Sequence, residues 1–458
     1  MLNVKVKYFG PLIEADVALR PLTVFIGENN AGKSYMALLN YAILASFSRS
    51  HKLHRFSPLR RVYKLSEQEQ RQLNALLTEQ NEVGFDELSQ TTQNDINRGV
   101  QQLCNQLSEQ LGSEIQRCFG SELSDLIRPR CHKRFELIIE SSQPALRLEF
   151  RFQDGGLVLH NAAYSLTGTK FPLNRLRPAH ADRLYTDLIN SLVQYCFRDL
   201  LKMPYYFPAA RSGILQSHKA LAGIMVSRLP LVGIESIEIP RLTGVVADFI
   251  SDLINLEKRP RIKSRKSSPL IQIATFLEQE VSRGEIDVDQ VDSGAEYPEF
   301  VYETNGNRIP IHRTSSMVSE IAPIVLFLKH IIRSEALLII EEPEAHLHPE
   351  NQRILARAIS QMVNAGLHVL VTTHSDYFLQ QLSNCIRMAS KPSVAKKLGY
   401  TKKDQLPSES VGAYLFSFRK NRPGAETKEL PVSKSEGIPE DAFVQIAESI
   451  YDETVKLD

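Results

Sequence analysis

Gly27-Glu28-Asn29-Asn30-Ala31-Gly32-Lys33-Ser34 is the stretch that decides the fold. It fits the phosphate-loop pattern G-x-x-x-x-G-K-[ST] at every position. Upstream, Leu22-Thr23-Val24-Phe25-Ile26 is a β-branched and aromatic run suited to a buried strand. Downstream, Tyr35-Met36-Ala37-Leu38-Leu39 opens a helix. A strand, a glycine-rich turn and a helix N-terminus together present backbone N–H groups to an anion. The pattern predicts a nucleoside triphosphate site lined by Gly27, Asn29, Asn30, Ala31, Gly32, Lys33 and Ser34. Lys33 would reach the β/γ-phosphates and the Ser34 hydroxyl would bind Mg²⁺. The competing reading, a chance Gly-Lys-Ser in a surface turn, does not account for the flanks.

With 458 residues the chain is too long for one ordinary domain, and two or three are expected. Its hydrophobic share of 43% against 23% charged residues is enough to bury a substantial core. The net charge of +1 implies no global pull toward nucleic acid or membrane, so any such contact must come from local patches. The five cysteines (Cys104, Cys118, Cys131, Cys196, Cys385) never form a C-x-x-C pair and read as reduced core thiols. Met1-Leu2-Asn3-Val4-Lys5 lacks a signal peptide's apolar run. The longest apolar stretch, Ile321 to Leu328, falls well short of the ~20 residues a membrane span needs. A soluble, cytoplasmic protein is the expectation.

Far downstream lies Ala336-Leu337-Leu338-Ile339-Ile340-Glu341-Glu342-Pro343-Glu344-Ala345-His346-Leu347-His348-Pro349. Apolar residues running into two carboxylates describe a buried strand that delivers acids at its C-terminal edge, where ligands sit in open α/β sheets. Glu341 would hold Mg²⁺ directly or through water, and Glu342 is placed to act as general base toward the attacking water. Next, Leu367-His368-Val369-Leu370-Val371-Thr372-Thr373-His374-Ser375 reads as another buried strand. At its end, His374 would hydrogen-bond the γ-phosphate and orient the water.

These three pieces together resemble the ABC-type ATPase heads of the RecF, SMC and overcoming-lysogenization-defect (OLD) superfamily. The resemblance implies an α/β fold: an ABC-type P-loop ATPase head with an antiparallel β lobe and an inserted helical arm. It also implies ATP and Mg²⁺ as ligands, with Lys33 and Ser34 on phosphate and metal, Glu341 on the metal, Glu342 as base and His374 as the switch histidine. In such heads the place of Glu344-Ala345-His346-Leu347-His348-Pro349 is the D-loop, so His346 and His348 would serve the turn and a dimer contact; a metal site is the alternative. The signature segment, presented to the nucleotide of an opposing subunit, would fall in His312-Arg313-Thr314-Ser315-Ser316-Met317-Val318-Ser319-Glu320-Ile321. Ser315 and Ser316 match the Ser-Ser of OLD-like ATPases, and Met317 departs from the glycine often found there. Tyr205-Tyr206-Phe207-Pro208-Ala209-Ala210-Arg211-Ser212 resembles their Pro-Ala-x-Arg-Ser segment, which would put Arg211 near the nucleotide or the dimer seam.

Lys33 and Glu341 stand 308 positions apart, so lobes are inserted between the two halves of the head. The expected layout is the N-terminal half of the head over 1–50, a helical insertion over 51–134, an antiparallel β lobe over 135–175, a helical arm over 176–285 and the C-terminal half over 286–458. Ser66-Glu67-Gln68-Glu69 is a capping box, and Ile96, Val100, Leu103, Leu107, Leu111 and Ile115 recur at helical spacing. That stripe suits either a coiled-coil arm or one packed helix. From Phe135 to His160 the period becomes two, with Gly155-Gly156 near a turn. Asp287-Val288-Asp289 is expected to face solvent.

Basic clusters occupy His51–Arg61, Arg128–Arg134 and Lys258–Lys266. The last includes Arg259, Arg261, Lys263, Arg265 and Lys266. Each is either a solvated linker or a patch for DNA phosphates or an acidic partner. The 84 residues after His374 hold no Asp-x-Asp, so no TOPRIM nuclease is expected there, and an amphipathic segment at 440–451 would dock on the head. Two function classes follow from the resemblance. The first is the sensor subunit of a prokaryotic antiviral defence system, a homodimer or higher oligomer controlling a separate effector protein, a nuclease among the candidates. The second is a RecF/SMC-like repair or chromosome-maintenance ATPase that binds DNA.

Overall fold

A computed structural model describes residues 1–48, 82–142, 145–172, 184–217, 223, 242–256, 268–289, 298–419, 423–439, 452–455 and 457. The capping box at 66–69, the basic clusters at 51–61 and 258–266 and the segment 440–451 lie outside the described residues. Strands β1 (Leu2–Phe9), β2 (Leu12–Leu19) and β3 (Leu22–Gly27) lead into helix α1 (Lys33–Ser48). There follow β4 (Glu82–Gly84), α2 (Gln90–Phe119), β5 (Glu136–Ser142), β6 (Ala145–Gln153), β7 (Gly156–Ser165), β8 (Lys170–Pro172) and α3 (Leu184–Cys196). Next come β9 (Pro204–Phe207), α4 (Gly244–Ile254), α5 (Pro269–Leu277), β10 (Glu285–Asp289), β11 (Glu299–Thr304), β12 (Asn307–Pro310) and α6 (Ser316–His330). The chain then runs through β13 (Leu337–Glu341), α7 (Pro349–Asn364), β14 (His368–Thr372), α8 (Asp376–Ala389), β15 (Val411–Phe418) and β16 (Ala425–Leu430).

These elements form two compact units. The first comprises Met1–Ala18, Leu39–Gln116 and Ser121–Met203. Its strands lie in the order β7-β6-β5-β1-β2, with β1–β5, β5–β6 and β6–β7 antiparallel. The period of two shows as alternation: Leu146, Leu148 and Phe150 are buried while their neighbours are not. Gln153 pairs with Gly156 across a two-residue turn, and Asp154 and Gly155 both take positive φ (51° and 81°), the twist-matched geometry of tight hairpins. The apolar stripe Ile96–Ile115 belongs to α2 and is fully buried. Leu159 N donates to Ser108 Oγ at 3.0 Å and Tyr164 OH to Asn97 O at 3.3 Å, so α2 lies along β7 as a packed helix. None of the five cysteines is in a disulfide, and four are buried; Cys131 is half-exposed.

The second unit comprises Leu19–Leu38, Arg117–Gly120 and Pro204–Asp458. Its sheet runs β16-β15-β3-β14-β13-β9. The β9–β13, β13–β14, β14–β3 and β3–β15 pairs are parallel, and only β15–β16 is antiparallel. Buried on both faces, β3, β13 and β14 read as continuous apolar runs, as parallel strands must. Pro204–Phe207, expected inside a helical block over 176–285, is instead the strand β9. Its three successive aromatic residues are buried, and pairing with β13 satisfies its backbone. Asp287 and Asp289 also differ from expectation: Asp287 Oδ1 meets His330 Nε2 at 3.0 Å and Asp289 meets Arg308 at 2.7 Å. The period of two that buries Ile286 and Val288 turns both acids to the other face, where basic side chains cover them.

Phe207, Phe249 and Phe327 pack with ring centroids 4.8–5.9 Å apart, tying α4 and α6 to β9. Phe327 is 1% exposed and also meets Tyr205 edge-on at 6.0 Å. Phe327→Ala should therefore cost about 3–5 kcal/mol in denaturant unfolding followed by circular dichroism. A loss under about 1 kcal/mol would mean the cluster collapses around the cavity.

Candidate nucleotide site

Parallel pairing decides where the functional residues emerge. Phe25 of β3 is in register with Thr372 of β14, and Thr372 with Glu341 of β13. Phe207 of β9 is in register with Ile340. The residues that follow each strand leave along one edge of the second unit: the phosphate loop after β3, His374 after β14, Glu342 after β13 and Arg211 after β9.

The loop turns where only glycine fits. Gly27 has φ +131°, and a Cβ there would lie 2.0 Å from Phe416 O. Asn30 and Gly32 also take positive φ (61° and 97°). Glu28 N donates to Phe416 O at 3.2 Å, anchoring the loop to β15. Lys33, 6% exposed, donates from Nζ to Gly27 O and Glu28 O, each at 2.8 Å, while Ser34 is exposed beside it in the first turn of α1. Burial lowers the Lys33 ammonium from 10.5 to about 8, against the attraction of Glu342, Glu344 and Glu28.

Glu341 closes β13 half-buried, its Oε2 receiving a long 3.4 Å hydrogen bond from Ala209 N. Glu342 is exposed in left-handed backbone (φ +41°), held by its N–H to Thr372 O at 3.0 Å. The third acid, Glu344, is one that sequence reading passed over. Its Oε1 accepts from Thr373 Oγ1 at 2.8 Å and from His374 N at 2.7 Å, so it locks the turn carrying His374. Its buried Oε2 has no partner among the described residues, and burial pushes the carboxyl up, favouring its protonated form. His374 is exposed; partial enclosure and then the nearby Lys33 charge hold its imidazole below the ordinary value, so the neutral ring prevails near pH 7.

Arg211 lies fully buried behind the paired acids. It donates to Glu341 O at 2.7 Å and Glu342 O at 3.1 Å, and meets the Glu320 carboxylate at 2.6 Å. Burial pushes both members of that ion pair toward their neutral forms, and their mutual attraction opposes it. The sequence hint was the resemblance to a Pro-Ala-x-Arg-Ser segment, whereas its full burial and its acceptors on α6 and the acid turn are tertiary facts.

Ser315 caps α6, its Oγ accepting from Val318 N at 3.4 Å, and both Ser315 and Ser316 are exposed. Met317 Sδ accepts from Asn351 Nδ2 at 3.0 Å. His346 is exposed with φ +57°, and His348 caps α7, its Nδ1 accepting from Glu350 N at 3.4 Å. Among the described residues no group of three or more His, Cys, Asp or Glu is arranged to hold a metal ion. The basic residues Arg259, Arg261, Lys263, Arg265 and Lys266 lie outside the described residues.

Residues 233–379, which carry α6, the paired acids and His374, match the AAA ATPase domain family. The chain carries an ATPase domain and is an ATP-hydrolysing enzyme. No curated protein matches it by sequence. Among solved structures it is similar to an Smc head bound to the C-winged helix domain of ScpA, at 10% identity over 93% of this chain and 97% of that one, TM-score 0.42. It is also similar to the Smc head with an extended coiled coil bound to the C-terminal domain of ScpA from Pyrococcus furiosus, at 11% identity over 99% and 100%, TM-score 0.39. The SMC head domain from Thermotoga maritima is similar at 10% identity over 94% and 98%, TM-score 0.37.

The lowered Lys33 value gives a pH signature. A bound triphosphate favours the charged amine, so above pH 8 binding must take up a proton, and ATP affinity should fall about tenfold per pH unit up to about pH 10. Calorimetry at pH 9 in buffers of different ionisation enthalpy should register close to one proton taken up, and Lys33→Arg, always charged, should abolish that uptake. Without ATP the folded protein releases this proton near 8 and the unfolded chain near 10.5, so native stability should rise with pH across that window.

Proposed function

We propose that this ATPase is a nucleotide-gated switch: two copies close on ATP, and the closed state controls a separately encoded effector of a prokaryotic antiviral defence system. One observation carries the reading. A single strand edge gathers Lys33, Glu341, Glu342 and His374, while Ser315 and Ser316 stand exposed at the start of α6, open to a second copy's nucleotide. The OLD-like run Glu341–Pro349 supports the defence role by resemblance.

The residues fit the substrate and its metal. Gly27 provides a cradle that any Cβ would fill, and the Ser34 hydroxyl and Glu341 carboxylate are hard oxygen donors suited to Mg²⁺. When bound, Mg²⁺ neutralises phosphate charge. Lys33 holds the β/γ-phosphates, exchanging its loop carbonyls for phosphate oxygens. Glu342 takes the proton of the attacking water. Neutral His374 hydrogen-bonds the γ-phosphate, oriented by the Glu344 contact to its backbone.

Glu342→Gln should keep ATP affinity within about threefold yet lower turnover at least about a hundredfold, because the base is lost and the phosphate contacts remain. On size exclusion with ATP it should elute as a dimer. Equal turnover in variant and parent would remove Glu342 from the mechanism.

The switch role is tested by co-expression with the product of the adjacent gene. Expression of the ATPase alone should be harmless, and the neighbour should co-purify with the parent and not with Lys33→Ala. The opposite result is DNA binding that falls steeply with salt and disappears when Arg259, Arg261, Lys263, Arg265 and Lys266 become Ala. It would favour the DNA-maintenance role.

A further inference from the structure

Arg211 has no part in the chemistry above, yet it is the largest fully buried polar side chain described in the protein. A guanidinium carries five N–H donors in a rigid plane. Here all three nitrogens are engaged. Nε donates to Glu320 O at 3.3 Å, Nη1 to Glu341 O at 2.7 Å and Pro208 O at 3.4 Å, and Nη2 to Glu342 O at 3.1 Å and Pro343 O at 3.4 Å. Nη2 also meets the Glu320 carboxylate at 2.6 Å. Apart from Pro208 in its own segment, the acceptors belong to two elements. Glu341, Glu342 and Pro343 form the turn that presents the paired acids, whereas Glu320 lies one turn into α6, whose N-terminus bears Ser315 and Ser316.

A second contact parallels the first. Gln216 Nε2 donates to Ser319 Oγ at 3.1 Å, and Ser319 Oγ lies 3.3 Å from Thr314 Oγ1, just before the exposed serines. The segment after β9 is thus bonded to the serine-bearing helix at two points, and to the acid turn mainly through Arg211, with the long Ala209 N contact to Glu341 Oε2 beside it. The Glu342 backbone needs such a hold, since its left-handed φ of +41° is disfavoured for a residue with a Cβ.

We propose that Arg211 is a positioning residue that couples the exposed serines of α6 to the paired acids, so that engagement of Ser315 and Ser316 by a second copy's nucleotide sets the placement of Glu341 and Glu342 in their own subunit. The proposal rests on the reading of Glu341 and Glu342 as the catalytic carboxylates. A shift of α6 moves Glu320, Glu320 moves the guanidinium, and the rigid fork carries the displacement to two successive carbonyls. A flexible ammonium with three donors cannot hold those carbonyls in one plane.

Removing the guanidinium alone strands a buried carboxylate. Two variants avoid that: Arg211→Lys keeps the charge opposite Glu320, and the double variant Arg211→Met with Glu320→Gln removes both charges. Both should melt cooperatively and bind ATP within about threefold of the parent, with kcat at least tenfold lower and KM little changed. In a double-mutant cycle on kcat, Arg211→Lys and Ser315→Ala should combine to much less than the product of their separate effects. A purely structural arginine would give independent, multiplicative losses. A folded Arg211→Lys with turnover within twofold of the parent, or multiplicative losses in the cycle, overturns the coupling; if the lysine variant does not fold, the double variant decides by the same kcat criterion. If instead Glu342→Gln turns over like the parent, the assignment of the carboxylates fails first, and that outcome is distinct.

Discussion

Parallel pairing of β3, β14 and β13 is the constraint on which the site depends. Each of these strands is buried on both faces, so a polar side chain along its length must find a partner inside the protein, as Thr23 does in Arg20 O at 3.2 Å. Polar chemistry is therefore displaced to the strand ends. Because the strands run the same way with Phe25, Thr372 and Glu341 in one row, those ends coincide. Lysine, carboxylates and histidine from segments more than 300 residues apart meet without any of them being adjacent in the chain.

The same edge buries several ionisable groups. Lys33, Arg211 and Glu320 are each at most 6% exposed, and Glu344 is largely enclosed. Buried ions are costly unless partnered, and here the partners are mostly backbone carbonyls of the turns that need shaping. Lys33 draws the ends of its own loop together through Gly27 O and Glu28 O. Arg211 gathers the carbonyls of Glu341, Glu342 and Pro343. Glu344 does the converse, accepting from the backbone and hydroxyl of the His374 turn. Charge desolvation is thereby turned into backbone geometry, which lets Glu342 and His346 hold positive φ at this edge.

Local patterning was legible wherever one physical rule dominated. The glycine and lysine spacing of the loop and the apolar run into Glu341-Glu342 each have one good structural solution, and the six-residue stripe of α2 gave a helix while leaving arm or packed helix to the fold. Reading failed where two rules competed. Pro204–Phe207 sits between helical segments and is only four residues long, so its strand character shows only once β13 is there to pair with it. Asp287 and Asp289 looked solvent-facing because alternation leaves acids on the outer face, and only the fold brings His330 and Arg308 to that face.

By itself the sequence determined a triphosphate loop, an acid-terminated strand, a histidine-terminated strand and a Ser-Ser helix start, because each is fixed by the periodicity and chemistry of a few neighbouring residues. Tertiary structure alone decided that these ends share one edge, that Glu344 grips the His374 turn, and that Arg211 bridges the serine-bearing helix and the acid turn. The reason is physical: strand register and burial are properties of pairs of segments, and a buried guanidinium takes its meaning from acceptors that lie more than a hundred residues away.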